Sequence, residues 1–422
     1  MPSICKRGLA VALVVGACVS ALLAYSAPLG LDYFAPPCHP HICDDGAPAI
    51  DALVAGRVHS FFANQPPMGS FSLLVRAPFA AIGDALSGKE LLKYRLGAFV
   101  CLLALAGLAV ALMAAMARQG RSRTACILIP AAVLVNPLTY SALDFGHPEE
   151  LLGAALCAGA VLAAARGRAV WAGVLLGCAL ATKQWAALAI LPMLLAAPRG
   201  SRMRAGGVMA AVAGLLVSPM MIADPGRFWL AQKSLGLALT YQHTVTASNV
   251  WFPFAQSSTG LTPDGGHAIT QFSLPSAVGH LIHPLVIGAV LAVAVAYAYR
   301  RRGVAPEEAL QLVALVMLVR CLLDPLTYSY HHAPFLVALV SYEALRRRVP
   351  VLSGFAITAL LLMKHVIVPM KDASLVNAFY LGWTLPLAVA LGVGVLAPGR
   401  LPALLRRAGA PPRDARHITA YA

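Results

Sequence analysis

The chain has 422 residues, 59% of them hydrophobic and only 12% charged, with a mean hydropathy of +0.75. A typical soluble domain carries about 25% charge, and here the apolar residues fall into runs long enough to cross a bilayer. A soluble enzyme, a fibrous protein and a disordered chain are thereby excluded, and the net charge of +15 must be read by its placement.

The first apolar run, residues 8–27, follows Lys6-Arg7 and is long for the core of a signal peptide. We read it as a retained anchor with the amino terminus inside. Residues 28–93 form a large first external loop. Within it lies an apolar patch, residues 71–82, interrupted by Arg76 and Pro78, which fits an interfacial or re-entrant element. Spans at 96–116, 125–140 and 151–165 come next. Two short runs, 170–181 and 186–197, then hinge at Thr182-Lys183-Gln184. Each is about 18 Å long against a hydrocarbon core of about 30 Å, and broken helices are tolerated where they line a cavity in protein. Spans at 206–221, 278–299, 309–323, 335–345, 351–368 and 380–396 complete the set. The total is about twelve, in a single integral membrane domain over residues 1–422, with a second large external loop at 224–276 and a basic tail at 398–422.

Short basic clusters between these spans hold 21 of the 32 Lys and Arg residues. Such clusters mark cytoplasmic ends. On this map the inside segments carry +17 and everything else −2. The charge is an orientation signal, and no nucleic-acid partner is implied. The polar chemistry faces outward.

Several outward constellations carry chemical potential. Asp44, Asp45 and Asp51 place three carboxylates within eight residues, enough to supply a general base for an acceptor hydroxyl. A solvated acidic loop has the same composition. Cys38 and Cys43 are placed to pair in an oxidising compartment. With His39 and His41 they also suggest a zinc set, but the spacing is poor for one, and no metal or cofactor is expected. The segment Gln65-Pro66-Pro67-Met68-Gly69 fixes the backbone with two prolines and then releases it.

Asp144, His147, Glu149 and Glu150 crowd one membrane-proximal turn. Ionisable groups there are costly unless paired or functional, and a helix dipole explains one glutamate but not the whole group. Lys183 lies at the break between two half-helices beside Gln184 and Trp185, either snorkelling or forming an anion pocket. Arg320 and Asp324 share one helical face, and His331 and His332 follow beside Tyr328 and Tyr330. Lysine, arginine and histidine from separate spans would make a phosphate clamp; a structural ion-pair network is the alternative.

The run Asp144-Phe145-Gly146-His147-Pro148-Glu149-Glu150-Leu151-Leu152, with Trp171-Ala172-Gly173-Val174-Leu175-Leu176-Gly177 and Ala181-Thr182-Lys183-Gln184-Trp185-Ala186, is distinctive. It resembles the polyprenol-phosphate-sugar-dependent glycosyltransferases of family 87, multispanning GT-C enzymes similar to the mycobacterial phosphatidylinositol-mannoside mannosyltransferases. The resemblance implies an all-α polytopic GT-C-like bundle with a large first external loop. It also implies a polyprenyl-phosphate sugar donor drawn from the membrane lipids and a lipid or glycan acceptor. The sugar would be mannose, transferred with inversion at the outer face of a bacterial plasma membrane. The base would be an aspartate of the first loop, Asp44, Asp45 or Asp51. Gln65-Pro66-Pro67 stands where the family has a Tyr-Pro-Pro turn. Lys183, Arg320, His331 and His332 would receive the donor phosphate, supported by Asp144, His147, Glu149, Glu150, Gln184, Trp185 and Asp324. A transporter or flippase of a lipid-linked or anionic solute is the competing class, since broken helices with a buried cation suit it. The spans show no inverted repeat, which weighs against it.

Overall fold

The computed structural model describes residues 6–26, 44–63, 69–236, 244–261, 268–300, 306–346 and 350–396. Cys38, Cys43, His39 and His41 lie outside these residues, as do residues 64–68 and the tail from 397. Helix α1 (Lys6–Ser26) is followed by the short α2 (Ala47–Val54) and α3 (Val58–Ala63), then α4 (Ser70–Ser87) and the long α5 (Glu90–Arg118). Next come α6 (Arg123–Leu134), α7 (Pro137–Asp144), α8 (Pro148–Ala165) and α9 (Ala169–Leu180). A 3-10 turn, Gln184–Ala189, leads into α10 (Ile190–Ala196), and α11 (Arg202–Ala223) and α12 (Pro225–Gly236) follow. Strands β1 (Gln256–Leu261) and β2 (Ala268–Ser273) pair antiparallel, Gln256 opposite Ser273. Helices α13 (Ser276–Arg300), α14 (Pro306–Leu323), α15 (Ala333–Leu345), α16 (Val351–Leu362) and α17 (Ala373–Leu396) complete the bundle.

Seven segments among the described residues are long and apolar enough to cross a membrane, fewer than the twelve expected. The difference has a physical origin in the bundle's interior. Helices α9 and α10 are half-length, α14 carries Glu307, Glu308 and Arg320, and α15 has only 13 residues, every one of them buried. Helices shielded by protein need neither full length nor an unbroken apolar surface. By contrast only 11% of the α1 window and 17% of the α11 window is buried, the pattern of helices that present apolar side chains to lipid.

The span expected at 125–140 lies within one of the seven candidate spans, Arg123–Asp144, and is built of two helices, α6 and α7, broken at Val135 and Asn136. Asn136 caps α7 by accepting from the backbone N–H groups of Leu138 at 2.9 Å and Thr139 at 3.0 Å, and Pro137 takes the first helical position. The apolar patch at 71–82 is the middle of α4, which buries Leu73, Arg76, Ala80 and Gly83 against its neighbours and exposes Ile82 and Leu86.

Small residues set how closely the central helices pack. Helix α8 is largely Ala and Gly and 89% of its window is buried. Gly173 and Gly177, one turn apart on α9, face α11. A Cβ at Gly173 would lie 2.6 Å from the Ala205 carbonyl oxygen, and one at Gly177 would lie 2.7 Å from Val212 Cβ. The crossing fixes α9, whose far end carries the Lys183 break. Gly173→Ile forces these helices apart, and we expect a loss of about 1–3 kcal/mol, read as a lowered Tm of the detergent-solubilised chain. An unchanged Tm would show that α9 and α11 do not pack as described.

Candidate active site

The end of the bundle away from the arginine clusters gathers charges from four separate stretches of chain. Arg76, inside α4, is fully buried and forms a bidentate ion pair with Asp44, one of its two bonds 3.3 Å long. Its guanidinium also lies 3.7 Å from Glu149. Glu149, in the first turn of α8, takes the Lys183 ammonium at 3.0 Å and the His147 ring at 3.0 Å on one oxygen. Glu150 lies 3.3 Å from the same ammonium. Asp44, Arg76, Glu149, Glu150 and Lys183 thus form one continuous network among buried groups, where removing one partner typically costs about 3–5 kcal/mol.

Backbone contacts lock the network in place. The N–H groups of Gly69 and Phe71 donate to the carbonyl oxygens of Thr182 at 3.0 Å and Ala181 at 2.9 Å. The start of α4 is therefore stitched to the break after α9. A Cβ on Gly69 would collide with the Ala181 carbonyl, so only glycine allows this approach. Gly46 is nearly as confined, its absent Cβ 3.1 Å from Arg76.

A second group of side chains faces this network. Arg320, near the end of α14, lies 3.9 Å from Asp324 and 5.9 Å over the Trp185 ring. Its Nη1 is buried without a hydrogen-bond partner. Trp185 packs beneath Gly153, 3.0 Å from where a Cβ would sit. Tyr330 stacks on His147 at 4.5 Å and contacts Phe145 at 5.2 Å, while Tyr328 lies parallel to Tyr330 at 5.8 Å. The outer part of the 224–276 loop seals this side: Asn249 donates to the Pro325 carbonyl at 2.8 Å, Trp251 to Leu323 at 2.7 Å, and Asn377 to Asn249 at 2.7 Å.

The expected site residues separate into distinct roles. Asp44 is buried and consumed by Arg76 and by the Gly46 N–H at 2.9 Å. Asp51 instead bonds Lys93 at 2.8 Å, in a cluster with Glu90 and Asp84 apart from the network. Asp45 is exposed, and its charge acts on His147, Lys183 and Tyr330. Lys183 is not the free cation that an anion pocket needs, because two glutamates already hold it. His332 is buried with both ring nitrogens engaged, to the Ser329 carbonyl at 3.2 Å and the Tyr380 hydroxyl at 2.9 Å. Burial also pushes its pKa down to about 4, so it is a neutral structural group. His331 is likewise held well below its usual range, by burial first and then by Arg320 and Lys183. Its Nδ1 faces the Tyr328 N–H at 3.3 Å, which leaves Nε2–H as the donor of the neutral ring. Asp144 ends α7 and is half-buried, and Gln184 is exposed at the break.

Arg76 and the aromatic group around Tyr330 are the residues that sequence reasoning missed as parts of the site. A lone arginine inside an apolar patch was the available signal for the first. The described residues contain no group of three His, Cys, Asp or Glu side chains able to hold a metal ion.

A family model, glycosyltransferase family 87, matches residues 66–325, more than half of the chain, and the chain belongs to that family. It is accordingly a polyprenol-phosphate-sugar-dependent glycosyltransferase. The matched stretch contains Arg76, Glu149, Glu150, Lys183, Arg320 and Asp324 but neither Asp45 nor His331. Among solved structures the fold is similar to ArnT from Cupriavidus metallidurans bound to undecaprenyl phosphate, at 20% identity and a TM-score of 0.48 over 96% of this chain and 73% of that one. It is also similar to the archaeal oligosaccharyltransferase AglB from Archaeoglobus fulgidus, in complex with an inhibitory peptide and a dolichol-phosphate. There the identity is 17% and the TM-score 0.43, over 97% of this chain and 58% of that one. Both likenesses are distant. A search of curated proteins finds no match.

The His147–Glu149 bond has a pH consequence. Burial opposes the protonated ring, but the hydrogen bond and charge of Glu149 outweigh it and raise the His147 pKa above 6.5. A raised folded-state pKa adds stability that is fully present below the unfolded value and is lost as pH rises through the folded value. The Tm difference between the native chain and His147→Asn should therefore be larger at pH 6 than at pH 9. A difference independent of pH would mean that the ring does not take up this proton.

Proposed function

We propose that this glycosyltransferase moves a sugar from a polyprenyl-phosphate donor to a hydroxyl of a lipid or glycan acceptor in one inverting step, with Asp45 as the base. The orientation of the basic clusters supports a site at the outer face of the membrane, and the resemblance to bacterial mannosyltransferases favours a bacterial plasma membrane. Mannose is the sugar favoured by the resemblance to the mannosyltransferases.

The observation that carries this reading is the contrast between two adjacent aspartates. Asp44 is spent in a buried ion pair, whereas Asp45 is exposed beside the same network. An exposed carboxylate can accept the acceptor's hydroxyl proton as the acceptor oxygen bonds to the anomeric carbon. The bond from that carbon to the phosphate oxygen breaks, and its electron pair leaves with the lipid phosphate. Arg320 supports the departing group, since its buried Nη1 has a donor still to satisfy. The Nε2–H of neutral His331 is a second donor on that side. Lys183 acts indirectly, holding Glu149 and Glu150 in register.

Each assignment can be separated in membranes containing the variant chain and labelled polyprenyl-phosphate sugar. Asp45→Asn should lower transfer about 10²–10⁴-fold with donor binding kept, while Asp51→Asn should retain activity. Full activity in Asp45→Asn would overturn the base assignment. Arg320→Met should weaken transfer and donor binding together, and unchanged values for both would remove it from the phosphate site.

A further inference from the structure

A cavity of about 420 Å³ opens at the opposite, arginine-rich end of the bundle. Its walls are the turn between α8 and α9, with Gly167 and Arg168, the first turn of α9, with Trp171, and the start of α11, with Ser201 and Arg204. No residue of the carboxylate network lines it.

Three properties of this cavity point to a phosphate-bearing ligand. The first is charge. Residues 117–123, 166–171 and 197–205 contain eight arginines and no acid. Arg166 is held below its usual range by burial and then by the charges of Arg118 and Arg168, so these cations repel one another. The second is backbone polarity. Helix α9 begins at the cavity, after Arg168, and has no side-chain cap on its N-terminus. Its first-turn N–H groups and dipole end favour an anion. The third is the rim. Trp171 is 62% exposed, and Val170 and Met203 are exposed beside it, as suits side chains at a membrane–water interface. An orientation signal alone needs basic loops; it needs neither a concavity nor an aromatic rim.

We propose that this cavity binds the phosphate of an anionic phospholipid headgroup, held by Arg168, Arg204 and the first-turn N–H groups of α9, with Trp171 against the upper acyl region. Arginine suits the role because its planar fork grips phosphate oxygens in pairs. A bound headgroup would tie the start of α9 to the start of α11, the two helices whose crossing positions the Lys183 break.

Native mass spectrometry of the full chain in neutral detergent tests this with phosphatidylglycerol, phosphatidylcholine and inorganic phosphate as separate probes. The native chain should bind phosphatidylglycerol in preference to phosphatidylcholine. Arg168→Gln with Arg204→Gln should weaken that binding about thirtyfold, the factor expected for two surface arginines. Trp171→Ala, a change at an exposed position, should weaken it without altering Tm, which keeps the test valid should the double variant unfold. Inorganic phosphate competing at the same concentration as the lipid would support the phosphate site and assign it to the free ion. Equal binding of the two lipids, or binding unaffected by either variant, overturns the proposal.

Discussion

The Arg76 guanidinium is the interaction on which the described site depends. It is fully buried in α4, and it can remain charged there only because Asp44 and Glu149 approach it from two other stretches of chain. That requirement draws the first loop against the top of α8. Glu149 in turn holds Lys183, so the break between α9 and α10 is brought to the same point. The backbone stitch from Gly69 and Phe71 to Thr182 and Ala181 closes the circuit. A loop, a full-length helix and a broken helix are thus cross-linked by charge at one end of the bundle. The result is a rigid floor whose charges are largely compensated internally.

Compensation of this kind decides which groups remain for chemistry. A lysine already shared by two carboxylates gains less from an incoming anion than an arginine with a buried, unpartnered nitrogen. His331 and His332 follow the same logic. Adjacent in sequence, they differ because His332 satisfies both ring nitrogens within the protein, while the hydrogen bond described for the His331 ring is the one its Nδ1 accepts from the Tyr328 N–H. The proposed phosphate site therefore rests on Arg320, with His331 as a neutral donor beside it, rather than on all four residues expected from the sequence.

Much of the architecture was legible in the residues themselves, and the reasons are local. Apolar runs bounded by arginines announce membrane helices, and Thr182-Lys183-Gln184, a polar triplet between two apolar runs each too short to span, marks the break after α9. Glu149 and Glu150 at a helix start were recognisable as more than caps. What the sequence could not convey was partnership. Arg76 reads as an interruption in an apolar patch until α4 is folded against α5 and Asp44 appears across 32 positions of chain. The expected count of twelve spans failed for a related reason: hydropathy measures contact with lipid, and α9, α10, α14 and α15 are instead packed largely against protein. The aromatic group at Phe145, His147, Tyr328 and Tyr330 joins residues far apart in the chain, and no spacing rule connects them.

Under the proposed base assignment, Asp44 and Asp45 divide one residue type between two tasks. Structure at this site demands a carboxylate that is dry, paired and immobile, because a solvated partner would not offset the burial of Arg76. Proton transfer demands the reverse: an accessible carboxylate with a free lone pair near the reacting hydroxyl. One residue cannot meet both requirements, and two neighbours can, because adjacent side chains at a helix approach point in different directions. Gly46 fixes which is which. Its N–H turns back onto Asp44 at 2.9 Å, and its missing Cβ lets Arg76 close over the pair. With Asp44 committed inward, Asp45 is left at the surface of the same floor, within the field of Lys183 and His147. If Asp45 is the base proposed above, the buried ion pair serves catalysis by placing its unburied neighbour.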